Sequence, residues 1–205
     1  MRTAQEHWLP LWQRFGFTGD GVEWHHKLID DYSESQRAYH TLQHLNECLM
    51  RFDDAKAGGG MTRPDLIEMA MWFHDAVYDS KSSQNEALSA QMAVDALGET
   101  DAAREVARLI MLTKSHKPGE GPDDAWIIDI DLGIFAQSAE RVAEYERQIR
   151  AEYTWVPEAV YREKRAEALE AFLKRERIYQ TEFFHQRDEA TARCHLALLI
   201  EQLSA

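Results

Sequence analysis

Apolar residues recur every three or four positions along almost the whole chain, and alternating β-branched runs are missing. This spacing is typical of helices with one face in a core, so it predicts an all-α fold. The periodic segments predict helices over residues 4–15, 21–35, 40–56, 64–78, 84–97, 101–115, 124–136, 139–155, 157–176 and 187–203. Pro64 and Pro157 fit first helical turns, Ser83 and Glu86 fit a capping box, and Gly98 fits a helix end.

A single domain accounts for residues 1–205, because a chain of this length buries about 70% of its unfolded surface in one core. The glycine run at residues 58–60 predicts a flexible loop, and it is too short to link two domains. The sequence therefore predicts one all-α domain that closes with a helical C-terminal extension.

Charge and composition exclude several classes of function. The chain has 36 acidic and 23 basic residues and a net charge of −13. Nonspecific binding to nucleic acid or to an anionic membrane requires a positive charge instead. No apolar run approaches the ~20 residues of a membrane span, and the N-terminus lacks a signal-peptide core, so we expect a cytoplasmic protein. Cys48 and Cys194 fit neither a disulfide framework nor a metal knuckle.

Polar residues on apolar helix faces are the strongest functional signal. His74 and Asp75 fall in AMAMWFHDAVY, which is apolar nearly all round, as in a central buried helix. Asp131 has apolar neighbours three and four positions away on both sides, whereas Asp129 points elsewhere. A buried carboxylate is costly unless a cation or strong hydrogen bonds meet it. A core histidine bonded to a carbonyl, or a salt-bridged or capping aspartate, is the structural alternative.

A further helix contributes His40 and His44, four positions apart and so on one face. The two either bind a metal jointly, or one binds it while the other transfers protons. With the residues above they form a donor set of nitrogen and oxygen without sulfur. Such a set suits a hard-to-borderline divalent ion with open positions for water.

The order of an isolated histidine, a His-Asp pair and a distant aspartate resembles the HD superfamily of metal-dependent phosphohydrolases. Here these residues are His44, His74, Asp75 and Asp131. The resemblance implies that they hold one divalent cation, without distinguishing Mn, Mg, Fe, Co, Ni and Zn. It also implies that Asp75 orients a metal-activated water.

The resemblance extends over nearly the whole chain. The helical core of the superfamily would cover about residues 37–136, which leaves about 137–205 as the extension. The segments YHTLQH, WFHDAVYD, NEALSA, DIDL, IRAEY and FLKRERIYQT are similar to a bacterial family of predicted HD-superfamily hydrolases. That family implies a fold and a metal site but no established substrate.

The segment from Tyr39 to His44 also resembles the Tyr-His-Asn-x-x-His signature of eukaryotic cyclic-nucleotide phosphodiesterases. This implies that His40 is a general acid and His44 a ligand, although Thr41 replaces the asparagine. Dinuclear HD enzymes add two histidines before the last aspartate, and this chain offers only His116. We therefore expect a second metal ion to bind weakly or not at all. His116 either faces the cleft in a catalytic role or only ends its helix.

Four basic residues are predicted to offset the charge of a phosphorylated substrate: Arg37, Lys114, Arg150 and Arg165. Arg165 lies on an apolar stripe, so it should be buried and should meet an acidic or anionic partner. A pair with Glu146, four positions earlier, accounts equally well for Arg150.

These features predict hydrolysis of a phosphate ester or anhydride in a small, nucleotide-like molecule by a metal-activated water. Two other classes stay open. HD-type iron oxygenases use a dinuclear site, which the single additional histidine disfavours. A non-catalytic nucleotide-binding module does not need all four ligands. The sequence leaves the substrate, the native metal and the formation of a homo-oligomer open.

Overall fold

The computed structural model describes residues 1–17 and 19–204, which form α-helices and no strand. The helices are α1 Gln5–Arg14, α2 Gly21–Asp31, α3 Leu42–Gly58, α4 Pro64–Phe73, α5 Asn85–Leu97, α6 Asp101–Thr113, α7 Asp124–Asp131, α8 Ala139–Glu152, α9 Glu158–Leu173 and α10 Glu182–Ser204. A 3₁₀ helix, Leu132–Ala136, continues from α7. The all-α prediction is confirmed. No helix among the described residues combines the length and the apolar character needed to cross a membrane.

The fourth helix lies at the centre of the fold and packs against α3, α5, α6 and α7. Every residue from Leu66 to Phe73 is buried, as the sequence predicts for this segment. Pro64 opens the helix in its first turn, and the Asp123 carboxylate accepts hydrogen bonds from the two backbone amides just before it. The most apolar segment of the chain is therefore the scaffold that presents the His-Asp pair.

This central helix ends at Phe73, five residues before its predicted end. In a longer helix the Met71 carbonyl would accept from the Asp75 amide, but it accepts from His74 Nδ1 at 2.8 Å. The Asp75 amide donates instead to the Tyr32 hydroxyl at 3.2 Å. Because side chains occupy both partners of the next helical hydrogen bond, the helix stops at the His-Asp pair.

The third helix begins at Leu42, so the prediction that His40 lies on it is wrong. Thr41 is the N-cap residue, and its hydroxyl accepts a hydrogen bond from the Gln43 amide at 3.3 Å. His40 precedes this cap in a turn. It still lies near His44, with ring centroids 6.1 Å apart.

The start of α5 also differs from prediction. Gln84 is its N-cap residue and makes no capping hydrogen bond with its side chain, so the predicted capping box is wrong. Glu86 pairs with Lys114 at 3.2 Å instead. At the other end Gly98 is the C-cap residue with φ 73°, as predicted.

Asp129 joins α7 to the start of α10. Its carboxylate accepts hydrogen bonds from the Gln180 amide at 2.8 Å and from the Thr181 amide at 2.7 Å. Burial raises the pKa of Asp129 to about 6 in spite of these bonds. This aspartate therefore has a structural partner, and it faces away from Asp131 as the sequence indicates.

Candidate metal centre

Two imidazole nitrogens meet in the interior, one from His44 on α3 and one from His74 directly after α4. Their Nε2 atoms lie 3.1 Å apart, and both side chains are buried. His74 Nδ1 must carry a proton, because its partner, the Met71 carbonyl, can only accept. The neutral ring therefore presents a lone pair at Nε2, which is the arrangement that a metal-ligating histidine needs.

Two carboxylates complete the cluster. Asp75 Oδ2 lies 3.4 Å from His44 Nε2 and 3.1 Å from His74 Nε2. Asp131 Oδ1 lies 3.2 Å and 3.5 Å from the same two nitrogens. Two ligands about 2.1 Å from one cation, at angles of about 90–110°, are about 3.0–3.4 Å apart. The four predicted ligands thus converge, and their donor atoms have the spacing of atoms that share one cation.

The charges of the cluster also fit a divalent ion. Burial alone would lower the pKa of both imidazoles, but the neighbouring carboxylates contribute to holding it well above the usual value. Burial alone would raise the pKa of Asp75 and Asp131, but the imidazoles hold it well below the usual value of an aspartate. The two Nε2 atoms lie too close together for both of them to carry a proton. The two carboxylates bring two negative charges to the cluster, which match the charge of one divalent cation.

Cys48 stands at the edge of the cluster, although the sequence analysis predicts a donor set without sulfur. Donor atoms of His44, Cys48, His74 and Asp131 all lie within 4.8 Å of one another, so this cluster could hold a metal ion. Cys48 Sγ is 3.7 Å from both ring nitrogens of His44, which puts it beside the ring rather than on the Nε2 lone-pair axis. The position four residues after His44 is the sequence signal that would have identified this thiol.

His116 faces the cluster and does not merely end a helix. It follows the end of α6 at Thr113, and its Nε2 lies 2.9 Å from Asp131 Oδ2. Its φ of 47° is the only positive value among the non-glycine residues that the structure describes. A histidine held in this left-handed region is strained, and such strain concentrates at functional sites.

Beside the cluster, His40 forms a pair with the buried carboxylate of Glu152. The distance from His40 Nδ1 to Glu152 Oε2 is 2.7 Å. The same oxygen accepts from the Tyr78 hydroxyl at 2.9 Å, and the Tyr78 ring stacks on the His40 ring at a centroid distance of 3.9 Å. Glu152 Oε1 accepts from three successive backbone amides, Ala38 to His40. His40 is thus fixed with Nδ1 on Glu152, and Nε2 is the nitrogen left for proton transfer.

Glu152 is the functional candidate that the sequence analysis missed. It lies on the buried face of α8 with Val142, Tyr145 and Ile149. That stripe has the helical spacing that identified Asp131, so the same criterion applied to α8 would have found it.

Glu152 is expected to make the fold sensitive to acid. Burial alone would raise its pKa, but the hydrogen bonds from His40 and from the backbone amides lower it to about 2. A depressed carboxyl pKa stabilises the fold above the ordinary value of 4.5, and this contribution disappears as the pH falls towards 2. The shift corresponds to about 3 kcal/mol at neutral pH.

Urea unfolding of Glu152→Gln between pH 7 and pH 3 tests this expectation. The free-energy gap to the wild type should be about 3 kcal/mol at pH 7 and should narrow below pH 4.5. Glu144→Gln removes a half-exposed carboxylate from the same helix and is the matched control. A gap that stays constant over this pH range would contradict the assignment.

Arg37 is predicted to bind substrate, but the structure places it in the scaffold. Its side chain is fully buried, and its guanidinium donates to the backbone carbonyls of His40, Asp75 and Ala76 and to the Glu34 carboxylate. No side-chain surface remains for a ligand. Arg37 instead ties the turn that carries His40 to the turn that carries Asp75.

Lys114 and Arg150 are also engaged with the protein. Lys114 Nζ donates to the Ser83 carbonyl and pairs with Glu86. Arg150 pairs with Glu158 at 2.8 Å, and not with Glu146. Its other nitrogens donate to two carbonyls in the α8–α9 loop, those of Tyr153 and Val156. Arg150 therefore stabilises this loop, and its predicted role in substrate binding is not supported by the contacts.

Arg165 has the acidic partner that its apolar stripe predicts. Its Nε donates to Glu146 Oε2 at 3.0 Å, and its guanidinium lies over the Tyr145 ring at 5.0 Å. Its Nη2 is buried without a hydrogen-bond partner. Of the four basic residues predicted to bind substrate, Arg165 is the one with a buried nitrogen that has no hydrogen-bond partner.

Comparison of the chain with protein-family models, with curated proteins and with solved structures gives no match in any of the three cases. The assignment of function therefore depends on the residues and geometry described above.

Proposed function

We propose that this protein is a metal-dependent hydrolase of phosphate esters or anhydrides in small, nucleotide-like molecules, with an HD-type site. The observation that carries the proposal is the His40–Glu152 pair beside a cluster of two imidazoles and two carboxylates. A metal-binding cluster alone is consistent with a structural or storage role. A histidine held by a buried carboxylate beside it adds the group that a hydrolytic reaction needs for its leaving oxygen.

In this proposal His44, His74, Asp75 and Asp131 hold one divalent cation. When bound, such an ion polarises a phosphoryl oxygen and lowers the pKa of water near it. The nitrogen and oxygen donors suit Mn, Mg, Fe, Co, Ni and Zn. Asp75 accepts a hydrogen bond from the attacking water and orients it.

His40 acts as the general acid. Glu152 is ionised at neutral pH because its pKa is about 2, so it accepts a hydrogen bond from Nδ1–H and fixes the ring. A protonated His40 then donates from Nε2 to the oxygen that leaves phosphorus. The carboxylate behind the ring and the stacked Tyr78 ring hold the imidazole in this orientation.

The remaining phosphate charge needs a cation in a chain with a net charge of −13. Arg165 is the candidate, since its Nη2 has no partner within the protein and its side chain is 14% exposed, whereas that of Arg37 is fully buried. Lys114 would have to leave Glu86 to take the same role.

The two competing classes lack such support. A non-catalytic nucleotide-binding module gives no reason for the His40–Glu152 pair. An iron oxygenase needs ligands for a second ion, and the additional histidine, His116, is already directed at Asp131.

Metal dependence is the decisive test. Protein purified without added metal is analysed for bound ions and assayed on nitrophenyl phosphate, nitrophenyl diesters and nucleotides with Mn²⁺, Mg²⁺, Co²⁺ or Fe²⁺. We expect hydrolysis only with metal, abolished by a chelator and restored by adding the ion back. Hydrolysis that survives exhaustive chelation would contradict the proposal. Oxygen consumption with iron would favour the oxygenase instead.

A further inference from the structure

His116 is restrained at both its side chain and its backbone: Asp131 contacts the imidazole, and Arg175 contacts the carbonyl. On the side-chain end, Nε2 lies 2.9 Å from Asp131 Oδ2, while Asp131 Oδ1 faces the two buried imidazoles. One oxygen of this carboxylate is therefore directed at the candidate cation position, and the other is occupied by His116. A carboxylate restrained in this way offers one oxygen to a cation and leaves room for water or substrate.

The backbone of His116 is held by Arg175, in the segment between α9 and α10. The Arg175 guanidinium donates to the His116 carbonyl at 2.5 Å and to the Ser115 carbonyl at 3.2 Å. It also lies over the Phe172 ring at 4.5 Å, and the Phe172 ring meets the His116 ring edge-on at 5.6 Å. These contacts brace a residue whose φ of 47° lies in the left-handed region that favours glycine and asparagine.

We infer that Arg175 and His116 are positioning residues that restrict Asp131 to one metal-facing oxygen. Arg175 stabilises the strained turn through the carbonyls of Ser115 and His116. The turn orients the His116 imidazole, which binds Asp131 Oδ2. The inference rests on the proposed metal site, and it assigns a function to an arginine that the sequence analysis does not single out. Partners of this kind, which orient a ligand, typically change metal affinity by about 10–100-fold.

Titration of the cation-free protein with Co²⁺ tests the pair without an assay of hydrolysis. We expect His116→Ala to weaken binding by about 10–100-fold and Arg175→Ala by about tenfold. Freed from His116, Asp131 Oδ2 can approach the ion, so the coordination number should rise and the visible Co²⁺ absorption should weaken. Arg175→Lys keeps a donor for one carbonyl and should recover part of the affinity.

A double variant distinguishes positioning from general loss of structure. If Arg175 acts through His116, adding Arg175→Ala to His116→Ala should cause no further loss of affinity. Arg177→Ala is the matched control, because this arginine lies in the same segment and pairs with an exposed glutamate, Glu182. It should bind Co²⁺ as the wild type does.

Four outcomes would overturn the inference. The positioning role would be contradicted if Arg175→Ala bound Co²⁺ as tightly as the wild type, or if the two losses of affinity multiplied in the double variant. Either result would leave the proposed function intact. A wild-type protein that takes up no divalent ion would remove the proposed function and the pair together. If Arg175→Ala does not fold, Arg175→Lys and His116→Asn take its place, since asparagine tolerates positive φ and keeps an N–H donor. Wild-type affinity and spectrum in both of these would equally overturn it.

Discussion

An Asp131→Asn variant is expected to leave purification without a metal ion and without measurable hydrolysis. Asp131 Oδ1 lies 3.2 Å from His44 Nε2, and the carboxylate supplies one of the two negative charges of the cluster. An amide lacks that charge and presents donor hydrogens on one side. A divalent ion in this site would keep three ligands, and one carboxylate would remain to balance its two positive charges. Mass-spectrometric metal analysis of protein purified without a chelator measures the loss.

Thermal unfolding gives an independent measure of the same loss. An ion that binds only the folded chain stabilises it by about 2.7 kcal/mol at a concentration of 100 times its Kd. Added Mn²⁺ should therefore raise the Tm of the wild type and leave that of Asp131→Asn unchanged.

Asp129→Asn is the matched control, with the same substitution on the same helix. Asp129 accepts hydrogen bonds from the start of α10, so we expect this variant to lose about 1 kcal/mol of stability and to keep its metal. Full metal content in Asp131→Asn together with an empty site in Asp129→Asn would move the ligand to Asp129 and contradict the geometry.

The helices could be predicted because their apolar stripes have a clear period, but several of their ends could not. The two wrongly predicted helix ends nearest the site are the end of α4 and the start of α3, and at both a side chain hydrogen-bonds to a backbone group of the helix. His74 Nδ1 occupies the Met71 carbonyl and ends α4, and Thr41 caps α3 after the His40 turn. Periodicity describes the faces of a helix and carries no information about such hydrogen bonds.

The cluster of two histidines and two aspartates has a signal in the sequence, because a buried polar residue interrupts an apolar stripe. Asp131 and Glu152 both interrupt an apolar stripe. The sequence analysis identifies Asp131 alone, because the many charged residues of α8 hide the stripe that contains Glu152. Arg37 has no comparable signal in the sequence. It looks available to a ligand there, yet in the fold its guanidinium donates to three backbone carbonyls. Such partners are distant in sequence and follow from tertiary structure alone.

His40→Ala is expected to keep the metal ion and to lose about 10²–10⁴-fold in rate, the usual range for a positioned acid. Retention follows from the geometry, because His40 lies in the turn before α3 and its Nδ1 is bound to Glu152 rather than directed into the cluster. His44→Ala is the comparison on the neighbouring helix, and it should lose both metal and activity. Metal analysis and steady-state kinetics of the two variants provide the measurement.

The dependence on the leaving group identifies the role of His40. A nitrophenolate leaves without protonation, whereas an alkoxide or a ribose oxygen needs a proton. The loss in His40→Ala should therefore be much smaller for nitrophenyl substrates than for alkyl phosphates or nucleotides. Glu152→Gln should show the same selectivity in a weaker form, because the imidazole remains but its Nδ1 proton loses the carboxylate that fixes the ring.

Each alternative role for His40 gives a different pattern. If His40→Ala strips the metal, His40 is a ligand and the cluster extends beyond the four converging donors. If the loss is equal for good and poor leaving groups, the histidine binds substrate or holds the turn, and proton donation is excluded. A loss that follows leaving-group basicity, with metal retained, is expected only of a general acid. Because Glu152 Oε2 lies behind the imidazole at Nδ1, the same pattern in Glu152→Gln would assign the proton transfer to the pair.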